Sequence, residues 1–160
     1  MKILVCDGLH ESGLDLLRSS QGLEVDAPDQ WSMEKIALHL PQYDAMVVRS
    51  RTKVTDEMLQ NAARLKVIGR AGTGVDNIDI PSASIRGILV INTPGANAVA
   101  AAEHTMALML ALARHVPQAT QSIREGRWEK KRFMGTELNE QILGIIGLGR
   151  IGSLVAERAK

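Results

Sequence analysis

Residues 142–152, Ile-Leu-Gly-Ile-Ile-Gly-Leu-Gly-Arg-Ile-Gly, constrain this chain more than any other stretch. The apolar run Ile142, Leu143, Ile145 and Ile146 predicts a buried parallel strand, and residues 153–160 predict a helix. Gly147, Gly149 and Gly152 stand in G-x-G-x-x-G spacing where the two meet. Each glycine then has a role. Gly147 makes the tight turn, Gly149 allows close approach of backbone to a pyrophosphate, and Gly152 allows close packing of helix on strand. The helix start adds unpaired N–H groups and partial positive charge. A dinucleotide site is expected, against the plainer reading of a tight turn with no ligand. In such a site an acidic residue about 20 positions beyond the glycines binds the adenosine ribose. The chain ends at Lys160, so only the first part of a cofactor site is expected here.

The preceding residues alternate strand and helix. Residues 3–6, 23–27, 45–48, 67–71 and 88–91 are short apolar runs that predict five strands. Between them, residues 11–18 place Leu14, Leu16 and Leu17 toward one side. Ser32 is positioned to cap a helix that Pro41 ends, Thr55 to cap one opening with Asp56 and Glu57, and Ile80-Pro81 to start a short third. Five strands separated by helices imply a parallel sheet covered on both faces.

Ligands of such sheets bind beyond the carboxyl ends of the strands. That rim collects Cys6-Asp7-Gly8, Arg49-Ser50-Arg51, Arg70-Ala71-Gly72-Thr73-Gly74 and Asn92-Thr93-Pro94. Arginines beside a glycine-rich turn suit a carboxylate or phosphate. The competing reading has Arg49, Arg51 and Arg70 solvated or paired with Asp7, Asp76 or Asp79.

Residues 92–98 (NTPGANA) read as a linker, with Asn97 placed to cap the next helix. Residues 99–124 predict one helix of about 39 Å, apolar on more than one side, with Pro117 as a point of kinking or splitting. His104 and His115 read as packed or exposed side chains rather than catalytic bases. In residues 126–138 (GRWEKKRFMGTEL), Trp128, Phe133 and Met134 are expected to anchor the loop against its own domain or a partner subunit.

Composition removes whole classes of function. Lys+Arg 19 against Asp+Glu 18 leaves a net charge of +1. That gives no field for nucleic acid and no reason to invoke a membrane, and Lys130-Lys131-Arg132 reads as a solvated face or a subunit contact. The single Cys6 excludes an internal disulfide and fits a core position in a reducing compartment. With no signal peptide and no stretch of about 20 apolar residues, the expectation is a cytoplasmic protein.

GRAGTGVDN at 69–77, Asn92-Thr93-Pro94, Ala101-Ala102-Glu103-His104, residues 126–138 and residues 143–152 together resemble the D-2-hydroxyacid dehydrogenases, over essentially all 160 residues. Arg127-Trp128-Glu129 with Phe133-Met134-Gly135 is most similar to the branch acting on a phosphorylated 2-hydroxy acid. The resemblance implies an α/β chain: a flavodoxin-like parallel-sheet substrate domain over residues 1–97, without its returning segment, then at 98–160 a long connecting helix and the start of a Rossmann NAD-binding domain. It implies NAD as cofactor and hydride transfer at the substrate's C2. Substrate contacts fall on Arg49, Arg70, Ala71, Gly72 and Asn97, and cofactor contacts on Thr73, Gly147, Gly149, Arg150, Ile151 and Gly152. It also implies a homo-oligomer through the long helix and the Trp128 loop. The family's catalytic histidine, its orienting carboxylate and the carbonyl-polarising arginine match nothing here, so the chain alone is expected to lack turnover. Another D-2-hydroxyacid dehydrogenase, of the glyoxylate or hydroxypyruvate reductase type, and a non-catalytic truncated module remain the alternatives.

Overall fold

The computed structural model describes residues 1–160, which divide into two compact units, Met1–Ala96 and Asn97–Lys160.

In the first unit, β1 (Lys2–Val5), β2 (Glu24–Asp26), β3 (Ala45–Val48), β4 (Val67–Arg70) and β5 (Leu89–Asn92) form one wholly parallel sheet in the order β2-β1-β3-β4-β5. That is the flavodoxin-like order, whose ligand crevice lies at the carboxyl ends of β1 and β3. Side chains alternate along each strand. Leu4, Cys6, Met46, Val48 and Ile68 share a core with Ile36 and Leu40, with Met58 and Leu59, and with Ala83.

Local chemistry sets the helix starts. In α1 (Glu11–Ser19) the His10 side chain accepts from the Ser12 N–H. Ser32 caps α2 (Met33–His39), Thr55 caps α3 (Asp56–Gln60), and Asp79 caps α4 (Ile80–Ile85), which carries Pro81 in its first turn. Pro41 sits inside a single 3₁₀ turn, Leu40–Gln42, that ends α2.

One expectation fails here. The face of the sheet bearing Gly69 and Ile91 is only partly covered, with Leu89 61% and Ile91 51% exposed. The helices α2, α3 and α4 contribute to the core on the opposite face, and no helix of this unit covers β5 on this one.

The second unit corrects one more and settles an alternative. The helical stretch over 99–124 is split rather than kinked near Pro117, into α5 (Ala98–Ala113) and α6 (Val116–Arg124), where His115 adopts the left-handed conformation with φ 53°. Proline within a helix clashes with the carbonyl four residues back and donates no N–H. For Pro117 that carbonyl is Ala113, the last of α5. The break leaves Pro117 in the first turn of α6 and the Ala113 carbonyl accepting from Thr136 N at 2.8 Å. The predicted strand at 142–146 carries no β-ladder: Ile142 is 99% exposed and Ile146 fully so. A parallel strand exists only against a neighbour, and residues 97–160 supply none. The helix after the glycines does form, α7 (Arg150–Arg158), packed along α5 with Arg158 paired to Glu103 at 3.8 Å. No helix is long and apolar enough to cross a membrane.

Candidate active site

Asp7, two residues beyond the end of β1, is 5% exposed and is the hub of the rim. Its Oδ2 accepts from the backbone N–H groups of Arg49 (2.6 Å) and Thr52 (3.2 Å). Its Oδ1 accepts from the Thr52 hydroxyl (2.7 Å) and from Arg51 Nε (3.0 Å). A charge this buried is tolerable only when so satisfied. Burial alone would raise its pKa, but the bonds from Thr52, Arg49 and Arg51 outweigh that and hold it below the usual carboxylate value. Arg51 also donates through Nη2 to the Cys6 carbonyl at 2.5 Å. From the far side of the loop, Asn77 Nδ2 donates to the carbonyls of Arg49 (2.7 Å) and Thr52 (2.6 Å). A cleft of about 450 Å³, lined by Asp7, Gly8, Arg49, Ser50 and Arg51 among others, opens beside this cluster.

The three arginines therefore divide. Arg51 is paired with Asp7, as the competing reading had it. Arg49 and Arg70 form no ion pair with any carboxylate. Arg49 is exposed and rests Nη1 on the Gly8 carbonyl at 3.2 Å. Arg70 is half-buried at the end of β4, with Nη1 near the Ala71 carbonyl at 3.4 Å, and its guanidinium occupies the space a side chain at Gly72 would take. The buried side-chain polar atoms without a hydrogen-bond partner are Arg70 Nε and Asn77 Oδ1, both within residues 70–77. Native chains leave few such groups, and each calls for a reason, such as a functional role or a water or ion. The backbone there is tied down: Ala71 N donates to Val48 O (2.9 Å), Thr93 N to Gly72 O (3.0 Å) and Asn92 Nδ2 to Thr73 O (2.7 Å). Thr73 is exposed.

Asn97, Gly147, Gly149, Arg150, Ile151 and Gly152 lie in the second unit. Asn97 precedes α5, and its carbonyl accepts from Ala101 N (2.9 Å) while its side chain makes no capping bond. Gly147 has φ 92°, a conformation side chains resist. A Cβ at Gly152 would strike the Gly147 carbonyl, so turn and helix are in direct contact. Gly149, before α7, has nothing within 4 Å of where its Cβ would be. It is the N-cap of α7, and its backbone is left open to close approach. Arg150 and Ile151 open α7 and are exposed. The residues present fit the phosphates of a dinucleotide.

Sequence reasoning missed Thr52 and Asn77, and saw in Asp7 only a possible partner for arginine. An aspartate directly after the four-residue apolar run 3–6 was the available signal. Trp128 and Met134 do not anchor their loop within its own unit, as one expectation had it: they are 80% and 75% exposed, and Phe133 is half-buried beneath Arg132. No group of three or more His, Cys, Asp or Glu is arranged to hold a metal ion.

The family model for the D-isomer specific 2-hydroxyacid dehydrogenase catalytic domain matches residues 3–142. The D-3-phosphoglycerate dehydrogenase of Archaeoglobus fulgidus is 52% identical over 160 residues, all of this chain and 30% of that protein. The chain thus spans about 30% of the length of the curated relatives it matches. Among solved structures, the TT0316 protein of Thermus thermophilus superposes with a TM-score of 0.91 at 34% identity, covering 99% of this chain and 52% of that one. An NAD-dependent formate dehydrogenase from Staphylococcus aureus, in complex with NAD, gives 0.85 at 30% identity, covering 99% and 53%.

Proposed function

This chain belongs to the D-isomer specific 2-hydroxyacid dehydrogenase family, and from that premise we propose that it is part of an NAD-dependent enzyme oxidising D-3-phosphoglycerate to 3-phosphohydroxypyruvate, the first step of serine biosynthesis. The observation that carries this reading is the pair Arg49 and Arg70. Two guanidinium groups keep their charge free of any carboxylate on one strand-end rim while a third, Arg51, neutralises the buried Asp7. A substrate with a carboxylate and a phosphate presents two anionic groups to such a pair. Arg49, Arg70 and the backbone at Ala71 and Gly72 bind and orient the substrate. Each charge-assisted hydrogen bond contributes about 1.5–3 kcal/mol.

Gly147, Gly149, Gly152 and the opening of α7 at Arg150 and Ile151 hold the cofactor's pyrophosphate. When bound, the nicotinamide supplies the hydride acceptor. Residues 1–97 are read as the substrate domain and 98–160 as the beginning of the cofactor domain, in a cytoplasmic homo-oligomer that associates through α5 and the Trp128 loop. No residue here takes the proton-handling role, so the 160 residues alone are expected to show no turnover.

The test is NADH formation with D-3-phosphoglycerate, measured on this chain and on the full reading frame that contains it. Turnover only in the longer protein supports the reading. Turnover in the short chain places the chemistry within it and overturns that part. Silence in both, with glyoxylate or hydroxypyruvate reduced instead, moves the substrate to another member of the family.

A further inference from the structure

We infer that Asp7 is a positioning residue for substrate binding, acting through Arg49 by fixing the loop after β3 so that the Arg49 guanidinium stays on the rim. The inference rests on the proposed role of Arg49 in binding the acidic substrate.

Arg49 is held at two points by two adjacent residues. Its backbone N–H donates to Asp7 Oδ2 at 2.6 Å, and its Nη1 donates to the Gly8 carbonyl at 3.2 Å. The first bond fixes where the residue leaves β3. The second directs the side chain without neutralising it, because a carbonyl carries no net charge. Thr52, fully buried, closes the loop on the same carboxylate through both its N–H and its hydroxyl. Asn77 Nδ2 takes the outward-facing carbonyls of Arg49 and Thr52. The loop 49–52 is thus clamped between a carboxylate beneath it and a carboxamide above.

Arg51 completes the arrangement. Its Nε pairs with Asp7 Oδ1 and its Nη2 bonds the Cys6 carbonyl, so the buried negative charge is compensated without drawing in Arg49. A lone buried carboxylate would otherwise compete with substrate for the nearest guanidinium. With Arg51 in place, the Arg49 side chain remains available to an incoming anion. Without Asp7 the loop loses four bonds at once, and Arg49 must be ordered by the substrate itself, a cost that appears as weaker binding.

The test compares wild type, Asp7→Ala and Asp7→Asn in the full reading frame that contains this chain, by steady-state kinetics with D-3-phosphoglycerate and NAD and by hydrogen exchange of peptides covering residues 46–53. In Asp7→Ala, exchange over 49–52 accelerates and KM for D-3-phosphoglycerate rises about tenfold or more while kcat stays within about twofold. Asp7→Asn brings KM back to within about threefold of wild type, because its carboxamide oxygen still accepts from the Arg49 and Thr52 N–H groups. Should Asp7→Ala not fold, Thr52→Val removes one of the four bonds and gives the same pattern in weaker form. Unchanged exchange over 49–52 in folded Asp7→Ala overturns the inference, as does a loss confined to melting temperature with KM intact. A wild type that does not oxidise D-3-phosphoglycerate overturns the functional reading instead, and the exchange measurement still decides whether Asp7 holds the loop.

Discussion

The guanidinium of Arg70 lies across Gly72, in the space that a Cβ at position 72 would fill. The obstructing atoms belong to the far end of a flexible side chain, so an alanine at 72 displaces Arg70 rather than the backbone. Gly72→Ala is therefore expected to leave the melting temperature within about 2 °C of wild type. It should raise KM for D-3-phosphoglycerate about tenfold or more, the equivalent of one charge-assisted hydrogen bond. Thermal melting and kinetics on the full reading frame check the two together, and an unaltered KM would remove Arg70 from the substrate site.

The glycines at 147, 149 and 152 separate by physical cause. Gly152→Ala drives a side chain into the Gly147 backbone carbonyl and should cost about 1–3 kcal/mol in stability. Gly149→Ala meets open space, and its cost at the helix cap should stay under about 1 kcal/mol. If a pyrophosphate approaches that backbone, Gly149→Ala weakens NAD binding with little change in melting, whereas Gly152→Ala moves both. Calorimetric titration with NAD beside denaturation curves distinguishes them. Equal NAD affinity in wild type and Gly149→Ala contradicts the cofactor assignment.

Local signals in this chain were legible and long-range ones were not. Ser32, Thr55 and Pro81 act within three residues of themselves, and each stands where the sequence placed it. Asp7 draws its donors from residues 42 and 45 positions away, a relationship no window of sequence contains. Pro117 marked a disturbance in the helix. Whether a proline kinks a helix or opens a new one depends on the chain just before it leaving helical geometry, which it does at His115, two positions before Pro117. The run at 142–146 has the composition of a strand, but a ladder is a property of two segments, and composition reports on one.

Asp7 also predicts an acid dependence. Its pKa lies lower in the folded chain than its ordinary value of 3.8, because the bonds from Thr52, Arg49 and Arg51 outweigh the opposing effect of burial. The unfolded chain therefore binds the proton more readily. The stabilisation is complete above the ordinary value and is lost as pH falls through the folded one. Asp7→Asn should melt lower than wild type at pH 6, with the gap closing below about pH 4. A gap constant down to pH 2.5 would mean that the carboxylate charge contributes nothing to the fold.

Cys6 is 2% exposed, and burial, helped by the neighbouring Asp7 charge against the opposing Arg51, pushes its thiol up to about 12. The thiolate is the reactive form. At pH 8 the native chain should resist a thiol reagent such as dithionitrobenzoate for hours and react at once in denaturant, where the ordinary thiol value returns. Rapid labelling of the folded chain would show that the β1 end opens on that timescale.

Trp128 is 80% exposed on a loop that is held firmly. Ser122 Oγ lies 3.0 Å from the Arg127 carbonyl and 2.8 Å from Glu129 Oε2, Arg132 Nη1 bonds Glu129 at 3.1 Å, and Arg127 N donates to Ser122 O at 2.9 Å. The Ser122 hydroxyl first, then Arg132 and Arg127, hold the Glu129 carboxyl below its usual range, so the network persists at neutral pH. An indole left uncovered on a loop whose neighbouring residues are hydrogen-bonded in place is the kind of residue that anchors an interface. Leu108 and Leu112 of α5, 57% and 76% exposed, extend the apolar character of the same unit. Trp128→Ala in the full reading frame is expected to weaken self-association about tenfold or more by sedimentation equilibrium. The fold, read by circular dichroism, should not change, since the indole makes little contact within its own unit. An unaltered mass across the concentration range would take the loop out of the oligomer interface.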